Sequence, residues 1–522
     1  MFRLGDLRQP AGQRRRLILL LGDQLDDGYL DELGVTADSD DVVAMCEVAA
    51  EATHVPSHKQ RTVLFLSAMR HFALDAAERA PVHYVTLDED GNTGSFAGEL
   101  GRLAERFSPG ELHLIRPGEW RVLHDLEAEA KELDLPLHLH EDAHFYSSPE
   151  GFGTWAKGRK EWILEYFYRA ERKRLGILME GSKPAGGEWN FDSSNRKSLP
   201  ASVSLEPPKR FEPDAITREV MELVERHFPD APGQLDSFGW AVTRAQAEEA
   251  LDDFIEHRLP LFGDYQDAMR SGEPWLFHSL VSPALNLKLL NPRRAVDAAV
   301  DAWRTGAAPI NAVEGFVRQI IGWREFIRGV YWHEGPDYAT RNALESRGEL
   351  PEIYWTAETD MACMADSLGQ VLENGYGHHI QRLMVTGNFA LMAGVDPKAI
   401  SDWYLGMYVD GVDWVTLPNT LGMVMHADGG RVGTKPYAST GAYIDRMGDY
   451  CGNCRFHPKE KTGDRACPFT TLYWDFLDRQ RGRLGDNRRM AFAWRNLDRL
   501  DRQMPEIRER AGRFRAAPLE DG

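Results

Sequence analysis

Near its N-terminus the chain reads Leu17-Ile18-Leu19-Leu20-Leu21-Gly22-Asp23-Gln24-Leu25, an apolar run that ends in a short polar loop. The run has the length of a buried β-strand and is too short to be the apolar part of an export signal. Open α/β sheets bind ligands at the carboxyl ends of their strands, which is where Gly22, Asp23 and Gln24 are expected. No GxGxxG pattern follows. The stretch therefore predicts either a small ligand pocket or an ordinary tight turn, and not a dinucleotide fingerprint.

Further apolar runs of strand length follow, separated by helical stretches such as residues 62–79 and 99–107. An alternation of strands and helices predicts parallel strands joined by crossover helices. The sequence therefore predicts an α/β domain with a Rossmann-like parallel sheet. Its other strands are expected at residues 42–45, 82–87, 112–115 and 137–140.

The length of 522 residues fits two or three domains. No apolar run approaches the length of a membrane span, so we expect a soluble, cytoplasmic protein that acts as a monomer. A formal net charge of −20 argues against general coating of nucleic acid, and a polyanionic partner would need a local basic face. We expect an N-terminal extension (residues 1–16), the α/β domain (17–140), a connector (141–235), a helical domain (236–505) and a tail (506–522).

The connector contains a local excess of positive charge. Residues 157–174 hold seven basic and three acidic residues, interleaved with Trp162, Tyr166, Phe167 and Tyr168. On a helix the aromatic side chains would pack inward and the cations would face outward. This pattern fits an ordinary solvated face equally well, but it is also the natural docking place for phosphates in so acidic a protein. The candidate phosphate contacts are Lys157, Arg159 and Lys160.

The C-terminal half has the apolar periodicity of helices and is dense in tryptophan and tyrosine. This pattern predicts a large all-α domain. Its helices are expected at residues 244–258, 293–303, 313–332, 361–374, 377–393 and 398–408.

Four of the five cysteines lie in this half, namely Cys363, Cys451, Cys454 and Cys467. Cys451-Gly452-Asn453-Cys454 is a CxxC pair, and Cys467 is followed by Pro468. Four thiolates can hold zinc or an iron-sulfur cluster. One distant ligand combined with CxxC and Cys-Pro favours a 4Fe-4S cluster, because zinc ribbons usually bring two close CxxC pairs. Four unrelated buried thiols remain the simpler alternative.

Several segments of the helical half are similar to the flavin-domain signatures of the photolyase and cryptochrome family. They are Ser279-Leu280-Val281-Ser282-Pro283, Gly322-Trp323-Arg324-Glu325-Phe326, and Gly377-His378-His379-Ile380-Gln381-Arg382-Leu383 followed by Asp410. Together with the four cysteines and residues 429–437, the chain most resembles the bacterial iron-sulfur branch, which includes prokaryotic (6-4) photolyases. The resemblance extends from Leu17 to about residue 494 and is most specific in the C-terminal half.

The resemblance implies an FAD pocket. Ser279 and Ser282 would donate hydrogen bonds to the FAD diphosphate, and Pro283 would open a helix whose N-terminus favours anions. Arg382 and Asp410 would form a charge pair against the flavin ring. Thr416 occupies a position where related proteins can carry an acid close to flavin N5. The same pocket would include Tyr265, His278, Val281, Asn286, Trp323 and Arg324.

The resemblance also implies functional roles outside the FAD pocket. His379 would donate a proton to a (6-4) lesion, with Tyr437 in place of the second histidine of eukaryotic enzymes, since Leu383 stands at that position. His378 would point elsewhere and is expected to be structural. Photoreduction would use Trp403, Tyr404 and Trp355, and a 6,7-dimethyl-8-ribityllumazine antenna would contact Gly22, Asp23, Gln24 and Glu47.

The expected function is light-driven repair of (6-4) photoproducts in UV-damaged DNA, by electron transfer from reduced FAD. Such an enzyme would associate with the bacterial nucleoid when bound to DNA. A cryptochrome, a blue-light photoreceptor without repair activity, is the alternative. A third reading is a metal-bearing DNA-binding protein without flavin, which would lack flavin absorbance.

Overall fold

The computed structural model describes residue 7 and residues 10–516. Near the N-terminus five parallel strands form one sheet in the order β3-β2-β1-β4-β5. Leu17 of β1 pairs with Val42 of β2 on one side and with Leu112 of β4 on the other. The α/β prediction is therefore confirmed, and each strand lies at its predicted place. The strands are β1 (Arg16–Leu19), β2 (Val42–Cys46), β3 (Val82–Val85), β4 (Glu111–Ile115) and β5 (Leu137–His140).

Helices cover both faces of the sheet, so its central strands are apolar on both sides. Ile18 packs in one cluster with the long helix Lys59–Ala77, and Leu17 packs in another with Phe96–Phe107 and Trp120–Glu132. All five residues of β2 are buried. Two short helices, Gly28–Glu32 and Ala50–Thr53, complete this domain.

The predicted connector is a packed part of the fold. Its helix Ala215–His227 lies against the helix Lys59–Ala77 of the α/β domain. Its other elements are the helices Pro149–Ala156 and Leu164–Leu175, a ribbon of Met179–Glu180 with Lys183–Pro184, and 3-10 turns at Ala185–Gly187 and Asp192–Ser194.

The helix Leu164–Leu175 departs from the predicted inward and outward faces at two positions. Tyr166 is 54% exposed, whereas Arg172 is fully buried. Arg172 donates hydrogen bonds to the carbonyl oxygens of Trp189 (2.9 Å) and Leu178. The neighbouring ribbon and turn supply these acceptors, so tertiary packing overrides the helical pattern here.

The remainder of the chain is helical, as predicted. Its α-helices are Arg244–Asp253, Leu259–Tyr265, Ser282–Leu287, Pro292–Arg304, Ile310–Val317, Glu325–Glu334, Ile353–Thr356, Ala362–Asn374, Asn388–Ala393, Pro397–Met407, Asp413–Pro418, Gly441–Met447, Pro468–Leu484, Ala491–Leu497 and Met504–Ala516. Short 3-10 helices occur at Pro336–Thr340, Tyr450–Asn453, Arg488–Met490 and Asp498–Leu500.

Four of these helical runs contain a π-helical segment. Such segments are rare and often lie at functional sites, because they displace side chains from the regular α-helical positions. They are Phe254–Arg258, Arg318–Arg324, Gln381–Gly387 and Asn419–Val424.

The described parts of the predicted N-terminal extension and C-terminal tail pack against the rest of the fold. Leu7 is buried in the core, and the amide of Arg14 donates to the carbonyl oxygen of Phe107 (2.8 Å). The helix Met504–Ala516 packs against Pro468–Leu484, so the body extends past the expected boundary at residue 505. Residues 1–6, 8, 9 and 517–522 of the expected extension and tail lie outside the described residues.

The α/β domain and the helical domain meet closely at residues 56–61. Arg61 donates two hydrogen bonds to the carbonyl oxygen of Gly411 (3.2 and 3.1 Å), and the amide of His58 donates to that of Gly406 (2.9 Å). A Cβ atom added at Gly406 would lie 2.0 Å from the carbonyl oxygen of Pro56. The two domains therefore pack backbone to backbone at this glycine.

Among residue 7 and residues 10–516, no helix combines the length and the apolar character that crossing a membrane requires.

We expect Gly406→Ala to lower the free energy of unfolding by about 1–3 kcal/mol, the usual range for overpacking. The added methyl group would press against backbone, which cannot rotate away. Gly369→Ala is the matched control, because Gly369 also lies in a helix and its added Cβ would meet nothing within 4 Å. That variant should be neutral or more stable, by up to about 1 kcal/mol. Equal urea midpoints for the two variants would contradict the close approach at Gly406.

Candidate functional site

The helical domain encloses a cavity of about 970 Å³. Three of the four π-helical segments, Arg318–Arg324, Gln381–Gly387 and Asn419–Val424, contribute side chains to its wall. The cavity gathers most of the residues predicted for the flavin pocket and for catalysis. Those residues are His278, Ser279, Val281, Ser282, Asn286, Trp323, Arg324, His379, Arg382, Tyr404, Asp410, Thr416 and Tyr437.

Arg382 and Asp410 form a bidentate ion pair at the cavity wall, with N–O distances of 2.9 and 3.1 Å. Ser282 donates its hydroxyl to the Asp410 carboxylate (2.7 Å), and Asn286 donates to the Asp410 carbonyl oxygen (2.8 Å). Burial alone would lower the pKa of Arg382, but the Asp410 carboxylate raises it above its usual value. The predicted charge pair is therefore present, and Arg382 stays protonated.

Two tyrosines that the sequence analysis missed surround the guanidinium of Arg382. It lies 3.7 Å from the ring centre of Tyr408 and 5.6 Å from that of Tyr376. Both rings line the cavity. Only the fold brings these residues together, although Tyr376 comes directly before the quoted Gly377-His378-His379 segment.

Several buried nitrogen atoms of the wall lack a hydrogen-bond partner within the described part of the chain. They are Nε of Arg318, Nε of Arg324 and Nε2 of His278. Buried polar groups are normally satisfied, and each exception calls for an explanation. The Arg324 guanidinium also lies 3.9 Å from the ring centre of Phe145. Nε of Arg318 is also 3.4 Å from the Glu314 carboxylate, so the nitrogens of Arg324 and His278 are the unpaired ones. Unpaired nitrogens beside aromatic walls suit a large ligand with an aromatic ring and polar substituents, as the expected FAD has.

The Ser-x-x-Ser-Pro segment leads into a helix, as the resemblance implies. The helix Ser282–Leu287 has only six residues, with Pro283 in its first turn, and no side-chain cap bond forms there within the described structure. Ser282 is bonded to Asp410 instead. The expected hydrogen bond from Ser282 to a diphosphate would therefore compete with this contact, whereas Ser279 lines the cavity.

His379 and Tyr437 line the same cavity, as their predicted roles require, whereas His378 turns away from it. His378 is buried and stacks on His278 at a ring separation of 4.5 Å. His379 is exposed to the open cavity, and partial desolvation by the surrounding protein, with the charge of Arg382 acting in the same direction, lowers its pKa below the ordinary value. His379 is therefore neutral at pH 7 in the free protein.

Thr416 also lines the cavity, as the resemblance predicts. Asn419, one helical turn later, shares this wall and was missed by the sequence analysis. Its side-chain amide donates to the carbonyl oxygen of Val415 (2.8 Å), which leaves the amide oxygen available. With Thr420, which also lines the cavity, the polar side chains from this stretch are two uncharged hydroxyls and a carboxamide.

The predicted electron-transfer residues lead away from the cavity. The Tyr404 ring lies 5.6 Å from the Trp403 ring, and Trp403 is buried. Tyr354, which the sequence analysis missed, lies 5.2 Å from Trp403 and directly precedes Trp355. Trp355 is 37% exposed. Tyr404, Trp403 and Tyr354 thus form a series of neighbouring rings that begins at the cavity, and Trp355 follows Tyr354 in the sequence at the surface.

Tyr265 is the predicted flavin-pocket residue that does not line the cavity in the described structure. It lies at the end of the helix Leu259–Tyr265, where its ring packs 5.6 Å from Phe277. The neighbouring Gln266 faces the cavity instead.

A second, mainly apolar pocket of about 70 Å³ lies at the carboxyl ends of β1 and β2, where the antenna was predicted. Gly22, Asp23 and Glu47 line it. The Glu47 carboxylate already accepts hydrogen bonds from Arg70 (2.7 and 3.0 Å), Tyr84 (2.8 Å) and the Leu87 amide (2.8 Å).

The prediction of an antenna contact from Gln24 is contradicted. Gln24 is fully buried, and its side chain donates to the carbonyl oxygen of Ile115 (3.0 Å) and accepts from the Leu21 amide (3.1 Å). Both ends of its amide are therefore occupied in joining the loop after β1 to the end of β4.

Cys363, Cys451, Cys454 and Cys467 line one small pocket. Burial raises the pKa of Cys363 well above its usual value, and the three other thiols nearby act in the same direction to a smaller extent. An added Cβ at Gly441 would lie 2.7 Å from Sγ of Cys467, so the glycine leaves room beside this sulfur. The simpler alternative of four unrelated thiols is therefore wrong.

Lys157, Arg159 and Lys160 are exposed on the turn that follows the helix Pro149–Ala156. The turn continues through Trp162, which packs beneath Arg431 of the glycine-rich segment (5.0 Å), to Leu164 at the cavity wall. The basic turn therefore lies close to the cavity.

We expect Asp410→Asn to lower the free energy of unfolding by about 2–3 kcal/mol. This is less than the about 3–5 kcal/mol for breaking a fully buried pair, because the cavity admits water. Asp402→Asn is the matched control, since it breaks the exposed pair of Lys398 and Asp402 and should cost under about 1 kcal/mol. Denaturant unfolding checks both, and equal losses would contradict a special role for the Arg382 pair.

Comparison with known proteins agrees with this geometry. A family model described as deoxyribodipyrimidine photo-lyase-related protein matches residues 18–240. A (6-4) photolyase of Agrobacterium fabrum is 48% identical over 503 residues, which cover 96% of this chain and 99% of that protein.

Two solved structures share the fold. A bacterial class III photolyase from Agrobacterium tumefaciens has a TM-score of 0.53 at 15% identity, over 84% of this chain and 87% of that one. A Synechocystis cryptochrome has a TM-score of 0.53 at 14% identity, over 84% and 89%. Given the extent of the identity to the Agrobacterium fabrum protein, the chain belongs to the photolyase and cryptochrome family, in its photolyase-related group.

Proposed function

We propose that the protein is a light-dependent DNA photolyase that repairs pyrimidine-pyrimidone (6-4) photoproducts. The observation that carries the proposal is the single cavity shared by His379, Tyr437 and the Arg382–Asp410 pair. The relative named (6-4) photolyase, 48% identical along nearly its whole length, supports the same reaction.

Membership of the family implies FAD as the cofactor. Arg382 and Asp410 would hold the flavin ring, and the free nitrogens of Arg324 and His278 would meet polar groups of the same cofactor. When bound and reduced, FAD supplies the electron that light transfers to the lesion. Trp403, Tyr404 and Trp355 are the candidate route for returning the cofactor to its reduced state.

His379 is the proposed proton donor. Tyr437 lines the same cavity and offers its phenolic hydroxyl as a second donor. Because its pKa is lowered in the free protein, His379 requires a partner that favours its charged form. The phosphates of bound DNA would supply negative charge and raise this pKa. Proton donation would thereby depend on the presence of the lesion strand.

The direct test is blue-light repair of defined (6-4) and cyclobutane lesions by purified, flavin-loaded protein. We expect repair of the (6-4) lesion. Flavin photoreduction without repair of either lesion would instead indicate a photoreceptor.

A 4Fe-4S cluster is the proposed occupant of the cysteine pocket. In a tetrahedral zinc site with bonds of about 2.3 Å, all sulfurs lie about 3.8 Å apart. No three of the four sulfur atoms, all in the described part of the chain, lie within 4.8 Å of one another. This wider spacing favours a cluster over a single zinc ion.

The pocket at the ends of β1 and β2 is the proposed site of a ribityllumazine antenna. Its walls include Phe65 and Asp23, which combine an aromatic face with a polar group. Since Glu47 is already bonded to four donors, we assign the polar contact to Asp23 and the backbone at Gly22.

The basic turn at Lys157, Arg159 and Lys160 is the proposed phosphate contact. Arg196, Lys435 and Arg446 line the cavity and add positive charge nearby. A local basic face of this kind offsets the net charge of −20 where DNA would dock.

We expect Cys363→Ala to lose iron and sulfide and to destabilise the C-terminal region, because metal binding and folding are coupled. Cys46→Ala is the matched control, since Cys46 is the one cysteine outside the pocket and is buried in β2. It should retain the full iron and sulfide content of anaerobically prepared protein. One zinc ion per chain with neither iron nor labile sulfide would contradict the cluster.

We expect His379→Ala to abolish (6-4) repair while FAD content and lesion binding stay nearly normal. The loss should persist with chemically pre-reduced flavin, which separates proton donation from photoreduction. In the parent protein, repair of bound lesion should fall as pH rises, because only the protonated imidazole donates. His124→Ala, an exposed histidine outside the cavity, is the control. Repair at the normal rate in His379→Ala would reject the role.

Neutralising Lys157, Arg159 and Lys160 together should flatten the slope of log affinity against log salt by up to about 2–3 units, because fewer counterions are released. Lesion preference should change little, since phosphate contacts position the DNA and base contacts specify it. A control triple variant of Lys131, Arg304 and Arg502 removes the same charge from exposed positions off the cavity wall. The control should keep the slope of the parent protein. An unchanged slope in the variant of Lys157, Arg159 and Lys160 would place the DNA contacts elsewhere.

A further inference from the structure

Strands β4 and β5 place four titratable side chains on one face of the sheet. Glu111 and His113 alternate along β4, and His138 and His140 alternate along β5. His113 pairs directly with His138 in the parallel register. Since side chains two residues apart share a face, the register brings these groups together at the outer edge of the sheet.

Three of the four ligand atoms lie close enough for one metal ion. Those of Glu111, His113 and His138 all lie within 4.8 Å of one another. Oε2 of Glu111 is 2.9 Å from Nε2 of His138 and 3.7 Å from Nε2 of His113. A tetrahedral ion with bonds of about 2.1 Å separates its ligands by about 3.4 Å, which lies between these two distances.

His113 has a free nitrogen aimed at this point. Its side chain is only 10% exposed, and its Nε2 has no hydrogen-bond partner among the described residues. Its other nitrogen, Nδ1, lies 2.9 Å from Nε2 of His140. A hydrogen bond to the second nitrogen is the usual arrangement of a metal-ligating histidine, because it fixes the tautomer and the ring orientation.

We propose that Glu111, His113 and His138 form a binding site for one divalent transition-metal ion of the zinc class, with His140 as the positioning residue. Two imidazoles and one carboxylate suit zinc, cobalt or nickel and suit magnesium poorly. Water would complete the coordination, since His138 is half exposed and leaves the site open to solvent.

The electrostatic setting favours ligation. Burial lowers the pKa of His113, and the neighbouring His140, Arg16 and His138 act in the same direction. The Glu111 carboxylate acts in the opposite direction, and the net lowering of the pKa favours the neutral imidazole, which is the form that binds metal. Arg16 is the nearby cation, and its charge is already paired with Asp41 (2.6 Å).

The site would fasten the edge of the sheet. β5 is an edge strand and pairs with β4 alone, so it is more open than the central strands to fraying and to pairing with other chains. A shared ion would tie His138 of β5 to Glu111 and His113 of β4. This site shares no residue with the large cavity or the cysteine pocket.

Zinc uptake by the intact, cofactor-loaded protein tests the proposal. Equilibrium dialysis with Zn²⁺ should give one more bound equivalent for the parent protein than for His138→Gln. The exposed position of His138 makes this substitution safe for folding, which retained flavin absorbance would verify. His140→Ala should weaken the affinity about 10- to 100-fold. His227→Gln, which changes an exposed histidine elsewhere, should bind as the parent does, and excess Mg²⁺ should not compete.

X-ray absorption at the zinc edge identifies the ligands of the bound ion. We expect nitrogen and oxygen at about 2.0–2.1 Å, whereas zinc in the cysteine pocket would show sulfur at about 2.3 Å. Equal zinc uptake by the parent and His138→Gln, or a sulfur-only shell in the parent, would overturn the proposal. Either result would leave the four side chains as a hydrogen-bonded cluster that joins the two strands.

Discussion

The ion pair between Arg382 and Asp410 organises the centre of the molecule. It joins a π-helical segment to the segment between two later helices, and it also holds Ser282 and Asn286 through hydrogen bonds to Asp410. The rings of Tyr376 and Tyr408 complete the surroundings of the guanidinium. A charge pair that is mostly withdrawn from water is destabilised when either partner is removed, because the other charge is then left without its partner. Segments distant in sequence must therefore come together around this pair, and their meeting defines one wall of the cavity.

The π-helical segments explain how an otherwise regular helical domain opens a cavity of this size. Each inserts an extra residue per turn, so the side chains on either side no longer stack on one continuous face. Trp323, Met384 and Met423 come from three different segments of this kind and face the same space. Nearby, His379 is open to the cavity while His378 packs against His278. Adjacent histidines thus acquire different environments from a local change in direction of the chain.

The α/β domain serves the helical domain as a rigid support. Its long helix Lys59–Ala77 contributes Arg61 to the contact with Gly411, one residue beyond Asp410. Gln24 joins two strand ends by hydrogen bonds to backbone. The small pocket at the strand ends is lined in part by Val412 of the helical domain, so it lies at this tightly bonded interface. Such an interface keeps two bound groups at a constant separation, which energy transfer from an antenna to a flavin would require.

The sequence alone determined the sheet, the helical half and most of the cavity residues. β1 and β2 are apolar runs of strand length, and apolar residues alternate with polar ones in β4 and β5. Both signals are local, as are the Gly377-His378-His379 and CxxC patterns. Only the tertiary structure decided which polar groups are already satisfied. Gln24 and Arg172 look available in the sequence, but backbone carbonyl groups from other segments occupy them. Packing between distant helices brings Tyr376 and Tyr408 to the cavity and Tyr354 to Trp403. The same packing keeps Tyr265 out of the cavity lining, where it was predicted. Hydrogen-bond partners and ring contacts depend on distances in space, and a linear pattern of residue types does not encode those distances directly.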